Sequence, residues 1–208
     1  MKIKPRWEVQ PPKWIRMFYP GTFWRGKGTG KVVYLTFDDG PVPEITGWVC
    51  RELGKRNIKA SFFCVGENVK KHPDVFDLLK KEGHQTGNHT YNHLPAWKCS
   101  GEEFFKNVDK GTEVIDSGLF RPPHGQIYPW YIRRLKKRFS KVVMWDVLSK
   151  DYDNRLTPDE VFGNVKKNVR VGSVIVFHDS VKAWPRLEKA LPESLDFLKN
   201  EGYRFEVL

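Results

Sequence analysis

From residue 31 onward, short runs dense in β-branched and aromatic residues alternate with longer stretches whose apolar positions recur every three or four residues. The runs predict strands over 32–37, 61–65, 85–88, 119–121, 142–147, 174–178 and 204–208. The stretches between them predict helices over 44–56, 69–82, 101–116, 128–139, 158–169 and 184–201. Local chemistry marks several helix ends. Thr157 precedes Pro158 at a first helical position, with Asp159 and Glu160 completing an acidic first turn. Asn57, Gly83 and Gly202 stand where a left-handed residue closes a last turn. Pro192 predicts a kink or break inside the last helix.

Seven strands alternating with six helices predict a parallel sheet joined by helical crossovers. VVYLTF and SVIVF are almost unbroken in apolar side chains, as strands covered on both faces are. An open doubly wound sheet and a closed, irregular (β/α) barrel both fit. Each places chemistry at the C-terminal ends of its strands.

Composition narrows the classes. The 208 residues, 39% hydrophobic and 14% aromatic, can bury a core and exclude wholesale disorder. Apolar runs such as 174–177 fall short of the roughly 20 residues a spanning helix needs, so no membrane span is expected. Cys50, Cys64 and Cys99 are odd in number and form no Cys-x-x-Cys pair, which fits core thiols better than a disulfide framework. Charge, Pro and Gln occupy 1–14 where a signal peptide has its apolar region; no leader is visible in this stretch, and the compartment stays open between cell envelope and cytoplasm.

The net charge of +11 admits nucleic acid, an anionic surface or an acidic polymer as partner. It is concentrated at one end, where 1–30 hold seven basic residues against Glu8 alone. Trp7, Trp14, Phe18, Tyr19, Phe23 and Trp24 share that stretch, and a disordered tail would be poor in such rings. Residues 1–30 are therefore expected to form an arm packed on a single domain of 31–208. No nucleic-acid signature accompanies the charge, and a nucleic-acid partner is not expected.

Polar residues cluster at the strand ends. The first strand ends in Thr36-Phe37-Asp38-Asp39-Gly40-Pro41. Adjacent carboxylates raise each other's pKa, and in extended backbone they point opposite ways, so the two acids can take different tasks. The third strand runs into His89-Thr90-Tyr91-Asn92-His93, whose i and i+4 histidines share one face of a helical turn. With one aspartate from the first strand they form a two-His, one-carboxylate set with open positions, the pattern of a catalytic metal. Zinc suits these donors, and Co2+, Ni2+ or Mn2+ can replace it.

The fourth strand leads to Arg121-Pro122-Pro123-His124-Gly125. After two prolines the amide of His124 is the first free donor, suited to an oxyanion, while Arg121 can orient a carboxylate, most simply Asp38. The fifth continues as Trp145-Asp146-Val147-Leu148-Ser149-Lys150-Asp151, with more acids than one role needs. The sixth ends in Val176-Phe177-His178-Asp179, where His178 is placed to donate a proton.

Together these segments resemble the polysaccharide deacetylases of carbohydrate esterase family 4, over residues 31–208 and in the family's order of motifs. The resemblance implies an irregular seven-stranded parallel (β/α) barrel. It also implies Asp38 as catalytic base, with Asp39, His89 and His93 as metal ligands. Arg121 is implied to orient the base, the amide of His124 to hold the oxyanion, and His178 to act as catalytic acid. Asp151 is assigned to tune His178, with Asp146 as the other choice. His124 stands where the family usually has an aromatic residue, Leu148 where an acid is common, and Val176 where Leu is usual. The implied activity is metal-dependent N-deacetylation of an amino-sugar glycan by a monomer, with release of acetate. An O-deacetylase of a glycan such as xylan, or a catalytically silent glycan-binding relative, is the alternative.

Overall fold

The structure, a computed structural model, describes residues 8–27 and 30–208. Lys2, Lys4, Arg6 and Trp7 of the basic, aromatic stretch lie outside the described residues. One sheet contains β1 (Val32–Asp38), β2 (Ser61–Cys64), β3 (Gln85–Asn88), β4 (Leu119–Phe120), β5 (Lys141–Val142), β6 (Val147–Leu148), β7 (Val174–His178) and β8 (Arg204–Glu206). Its pairings are parallel. Seven strands follow the order β5-β4-β3-β2-β1-β7-β6, and β8 pairs beside the start of β1.

The expected strand 142–147 is two strands. β5 pairs with β4 at one edge, and β6 with β7 at the other. In a flat sheet those edges would lie about 29 Å apart, from six spacings of about 4.8 Å. The five steps from Val142 to Val147 reach about 18 Å at most. The sheet must therefore curl until its edges face each other, which makes it the irregular parallel barrel. Phe23 fills the remaining seam: its amide donates to the Val142 carbonyl at 2.8 Å, and its carbonyl accepts from Met144 at 2.8 Å.

The helices are α1 (Lys13–Met17), α2 (Pro43–Gly54), α3 (Gly66–Lys71), α4 (Pro73–Lys81), α5 (Gly101–Thr112), α6 (Ile132–Leu135), α7 (Pro158–Asn168) and α8 (Trp184–Asn200). The expected helix 69–82 begins earlier and divides at His72 (φ −132°, ψ 60°), because Pro73 bars helical backbone just before it. The expected helix 128–139 reduces to a 3-10 turn at Pro129–Tyr131 and the single turn of α6. α8 runs through Pro192 without a break. Glu188, whose carbonyl loses its intrahelical donor there, is solvent-exposed and can be hydrated instead. The predicted caps are present. Asn57, Gly83 and Gly202 have φ of 53°, 74° and 77°. Thr157 and Glu160 form a reciprocal capping box on α7.

Alternation along β1 explains why it reads as continuously apolar. Val33, Leu35 and Phe37 pack with Leu53, Val161, Leu187 and Leu191 in the main core, beneath the helices. Tyr34, Thr36 and Asp38 point the other way, into the barrel. Tyr34 packs there against a plug of Phe63, Leu119, Val143 and Val174. Both faces of the strand are buried, and the polar inward positions lie above the plug.

Candidate active site

Strand register brings the sequence-distant residues to one level. Asp38 is the Cα partner of His178 across β1 and β7. Asn88 pairs with Phe120, so His89 and Arg121, each one residue further, emerge together. The Arg121 amide donates to the Asn88 carbonyl at 3.0 Å, and the His89 amide to the Cys64 carbonyl at 2.9 Å.

The two aspartates do not diverge as extended backbone would make them. Asp39 has φ 83°, which breaks the alternation and turns its carboxylate back over the barrel mouth. His93 Nε2 lies 3.2 Å from Asp39 Oδ1, and His89 Nε2 lies 3.8 Å from the same oxygen. The HTYNH segment is not a helical turn either. Thr90 and His93 have φ of 65° and 60°, so the i, i+4 spacing works through a kinked loop. Asn88 shapes that loop: its side-chain oxygen accepts from the Thr90 amide at 2.7 Å, while its amide group donates to Val108 and Thr112 of α5. Among the described non-glycine residues with positive φ are Asp39, Thr90, His93, His124 and Lys150, all in the segments that build this site. Strain concentrated in this way marks a constraint other than folding.

One carboxylate oxygen of Asp39 and one ring nitrogen each of His89 and His93 lie within 4.8 Å of one another. Tetrahedral ligands at 2.0–2.2 Å from an ion sit roughly 3.4 Å apart, so this set fits a divalent metal. Protonation also suits it. Burial pushes His89 down to about 4, and its Nδ1 faces the Arg121 carbonyl at 2.7 Å, which leaves the Nε2 lone pair directed at Asp39. Burial works against the Asp39 carboxylate, but the hydrogen bond from His93 and the nearby His178 and His89 hold it well below the usual range.

Arg121 is fully buried and reaches under the site. One terminal nitrogen donates to Asp38 Oδ1 at 2.6 Å and to Thr36 Oγ1 at 2.8 Å, and the other to the Met144 carbonyl at 3.1 Å. Its guanidinium lies 4.1 Å over the Phe63 ring, on top of the plug. His124 has φ 56° in a 3-10 turn, and its ring meets His93 edge-on at 4.7 Å. Gly125 follows at φ 67°, and a Cβ there would come within 2.4 Å of Trp145.

Both Asp151 oxygens contact His178, one accepting from its amide at 2.8 Å and the other 2.7 Å from Nδ1. Burial alone would lower His178, but the Asp151 carboxylate raises it to about 9. Asp146 lies elsewhere, neutralised by Arg16 and Arg170 and bonded to the Ser173 hydroxyl.

Three residues near the site escape the sequence reading. Asp179, buried beside His178, accepts from the Gly40 amide at 3.1 Å and from the Thr46 hydroxyl at 2.5 Å, bracing the turn that carries Asp39. Burial pushes its carboxyl up to about 8. The signal was present, since an acid directly follows the strand-end histidine. Lys150 pairs with Glu8, and Tyr152 meets the His178 ring edge-on at 4.9 Å; neither had a signal beyond proximity to Asp151.

Asp38, Asp39, His89, His93, Arg121 and His178 line one cleft of about 750 Å³. Residues before the barrel supply part of its wall, including Pro11, Ile15, Tyr19 and Trp24. Trp97 lines the cleft and is 53% exposed. Trp184 packs edge-on against Trp48 at 5.0 Å instead.

The family model for polysaccharide deacetylase matches residues 25–140. A peptidoglycan-N-acetylglucosamine deacetylase of Bacillus cereus is 32% identical over 222 aligned residues, covering 100% of this chain and 77% of the relative. A chitooligosaccharide deacetylase of Azorhizobium caulinodans is 29% identical over 71% of this chain and 73% of its own length. The crystal structure of a peptidoglycan N-acetylglucosamine deacetylase superposes with a TM-score of 0.86 at 30% identity, covering 95% of this chain and 94% of that one. Motif order, barrel and relatives agree, and the chain belongs to the polysaccharide deacetylase family of hydrolases.

Proposed function

We propose that this protein is a metal-dependent N-deacetylase acting on an amino-sugar glycan of the chitin or peptidoglycan type. The observation that carries the reading is the convergence of Asp39, His89 and His93 beside an Arg121-held Asp38 and an Asp151-held His178. Asp39, His89 and His93 would hold a divalent metal, zinc being the best match to their donors, which would polarise an acetamide carbonyl and lower the pKa of water towards about 7.

The chain's own groups complete the reaction. Asp38 Oδ1 is occupied by Arg121, which leaves Oδ2, 4.0 Å from His89 Nε2, to take the proton of the attacking water. His178 uses Nδ1 on Asp151, so Nε2 delivers a proton to the departing amine. Without that proton the tetrahedral species expels water in preference to the amine. The backbone amide of His124, held by Pro122 and Pro123, faces the developing oxyanion, and one such donor is worth roughly 3 kcal/mol in the transition state. Trp97 at the cleft mouth offers a ring face to a sugar.

The test is acetate release from matched N-acetylated and O-acetylated glycans, with metal analysis of each preparation and His178→Ala as control. Release from N-acetylated chains that the control abolishes, at unchanged metal content, is the expected result. Release confined to O-acetylated glycans would overturn the substrate assignment. Full activity in His178→Ala would overturn the mechanism.

A further inference from the structure

α1 and the cap residue after it display Trp14, Met17 and Phe18 at 61%, 79% and 64% exposure. Their spacing of three and four residues places them side by side, and the Trp14 and Phe18 rings meet edge-on at 6.4 Å. The helix buries none of its residues. A helix of five residues has no stability of its own, so the body of the protein must hold this one in place. Arg16 pairs with the buried Asp146, Val9 accepts from the Leu148 amide at 2.9 Å, and Phe23 is bonded into the barrel seam. The apolar patch is presented on a fastened segment.

Its surroundings are basic. Residues 117–145 contain seven Lys or Arg and no acid. Within that run Arg133, Arg134, Lys136 and Lys137 are exposed. Lys136 Nζ comes within 3.0 Å of where a Gly21 Cβ would stand, and Lys141 lies 5.3 Å over the Phe23 ring. The run therefore flanks the turn that follows α1. Trp130, in the middle of the run, is 69% exposed.

Aromatic and thioether side chains with a basic run to one side match the boundary between lipid headgroups and acyl chains, where rings insert and Lys or Arg meet phosphate. A second copy fits less well. The three side chains offer on the order of 400 Å², about half of what a stable homodimer buries per partner. Two such faces would also bring like charge together. A soluble acidic polymer would answer the cations but leave the apolar side chains in water. No described helix is long and apolar enough to cross a membrane.

We propose that α1 docks this protein onto an anionic phospholipid surface, with Trp14, Met17 and Phe18 entering the headgroup layer and the basic run flanking them. Because Ile15 and Tyr19 of the same segment line the cleft, docking holds the cleft beside the lipid surface.

The test is co-sedimentation of the full chain with vesicles of equal phosphatidylglycerol and phosphatidylcholine, and with phosphatidylcholine alone. The wild type should pellet with the anionic vesicles only, and less so as salt rises from about 50 to about 500 mM. The triple variant W14S/M17S/F18S should partition about tenfold or more weakly, with unchanged thermal unfolding and unchanged acetate release from a soluble chitooligosaccharide. Absence of wild-type binding to anionic vesicles would overturn the proposal. So would equal binding by the triple variant, which would leave charge as the whole cause. A concentration-dependent dimer in sedimentation velocity that the triple variant abolishes would assign the patch to a second copy and equally overturn it.

Discussion

Replacing Asp151 by Asn separates proton donation by His178 from the other parts of the proposed mechanism. The carboxylate is fully buried and spends both oxygens on His178, at 2.7 and 2.8 Å. Burial opposes the imidazolium, yet Asp151, assisted by Asp39 and Asp38, raises its pKa from 6.5 to about 9. At pH 7 such a group is about 99% protonated. Asn preserves the shape and removes the charge, so burial returns the ring to 6.5 or below, and at most about a quarter remains protonated at pH 7. The gap corresponds to roughly 3 kcal/mol in proton affinity. A donor works below its pKa and fails above it, so activity is lost as pH rises through that value. A cation at the triad lowers both profiles alike, which makes their separation the readout. With kcat for acetate release measured from about pH 5 to about pH 10, the basic limb of Asp151→Asn should lie about two pH units below that of the wild type. KM should change little. Superimposable profiles, or a uniform loss at every pH, would refute the donor role.

Other outcomes follow from the same geometry. His89→Ala should purify with most of its metal lost while His178→Ala keeps a full equivalent, as read by elemental analysis; equal metal in both would disprove the triad. Arg121→Met leaves the buried Asp38 carboxylate without its partner and should cost about 3–5 kcal/mol, most of which Asp38→Asn in the same chain should restore in a denaturant cycle. Gly40→Ala would place a Cβ 2.0 Å from Asp179 Oδ2, and the displaced turn should cost about 1–3 kcal/mol together with a fall in metal affinity.

Much of the candidate site was legible because its residues cluster by strand end, and a parallel sheet gathers strand ends at one face. Thr157, Asn57, Gly83 and Gly202 were equally readable, since capping depends on bonds within a few residues. The misreadings have non-local causes. VVMWDV has one hydrophobic pattern, yet its first residues pair with β4 and its last with β7, a division that exists only once the sheet curls. The i, i+4 histidines suggested a helix, but Asn88 held by α5 forces Thr90 and His93 into left-handed backbone.

What the chain's order of residues determined by itself is local: alternation and periodicity set the elements, and the side-chain chemistry at their ends set the kinds of reaction open to them. Folding decided which groups meet. Asp146 and Asp151 are the same residue type five positions apart. One is neutralised by Arg16 and Arg170, while the other faces His178. The distinction lies in partners up to 130 residues away, and a carboxylate's role depends on the charge opposite it. The basic, aromatic stretch shows the same division. Its composition announced packing, but only the open seam between β5 and β6 made it a wall of the cleft.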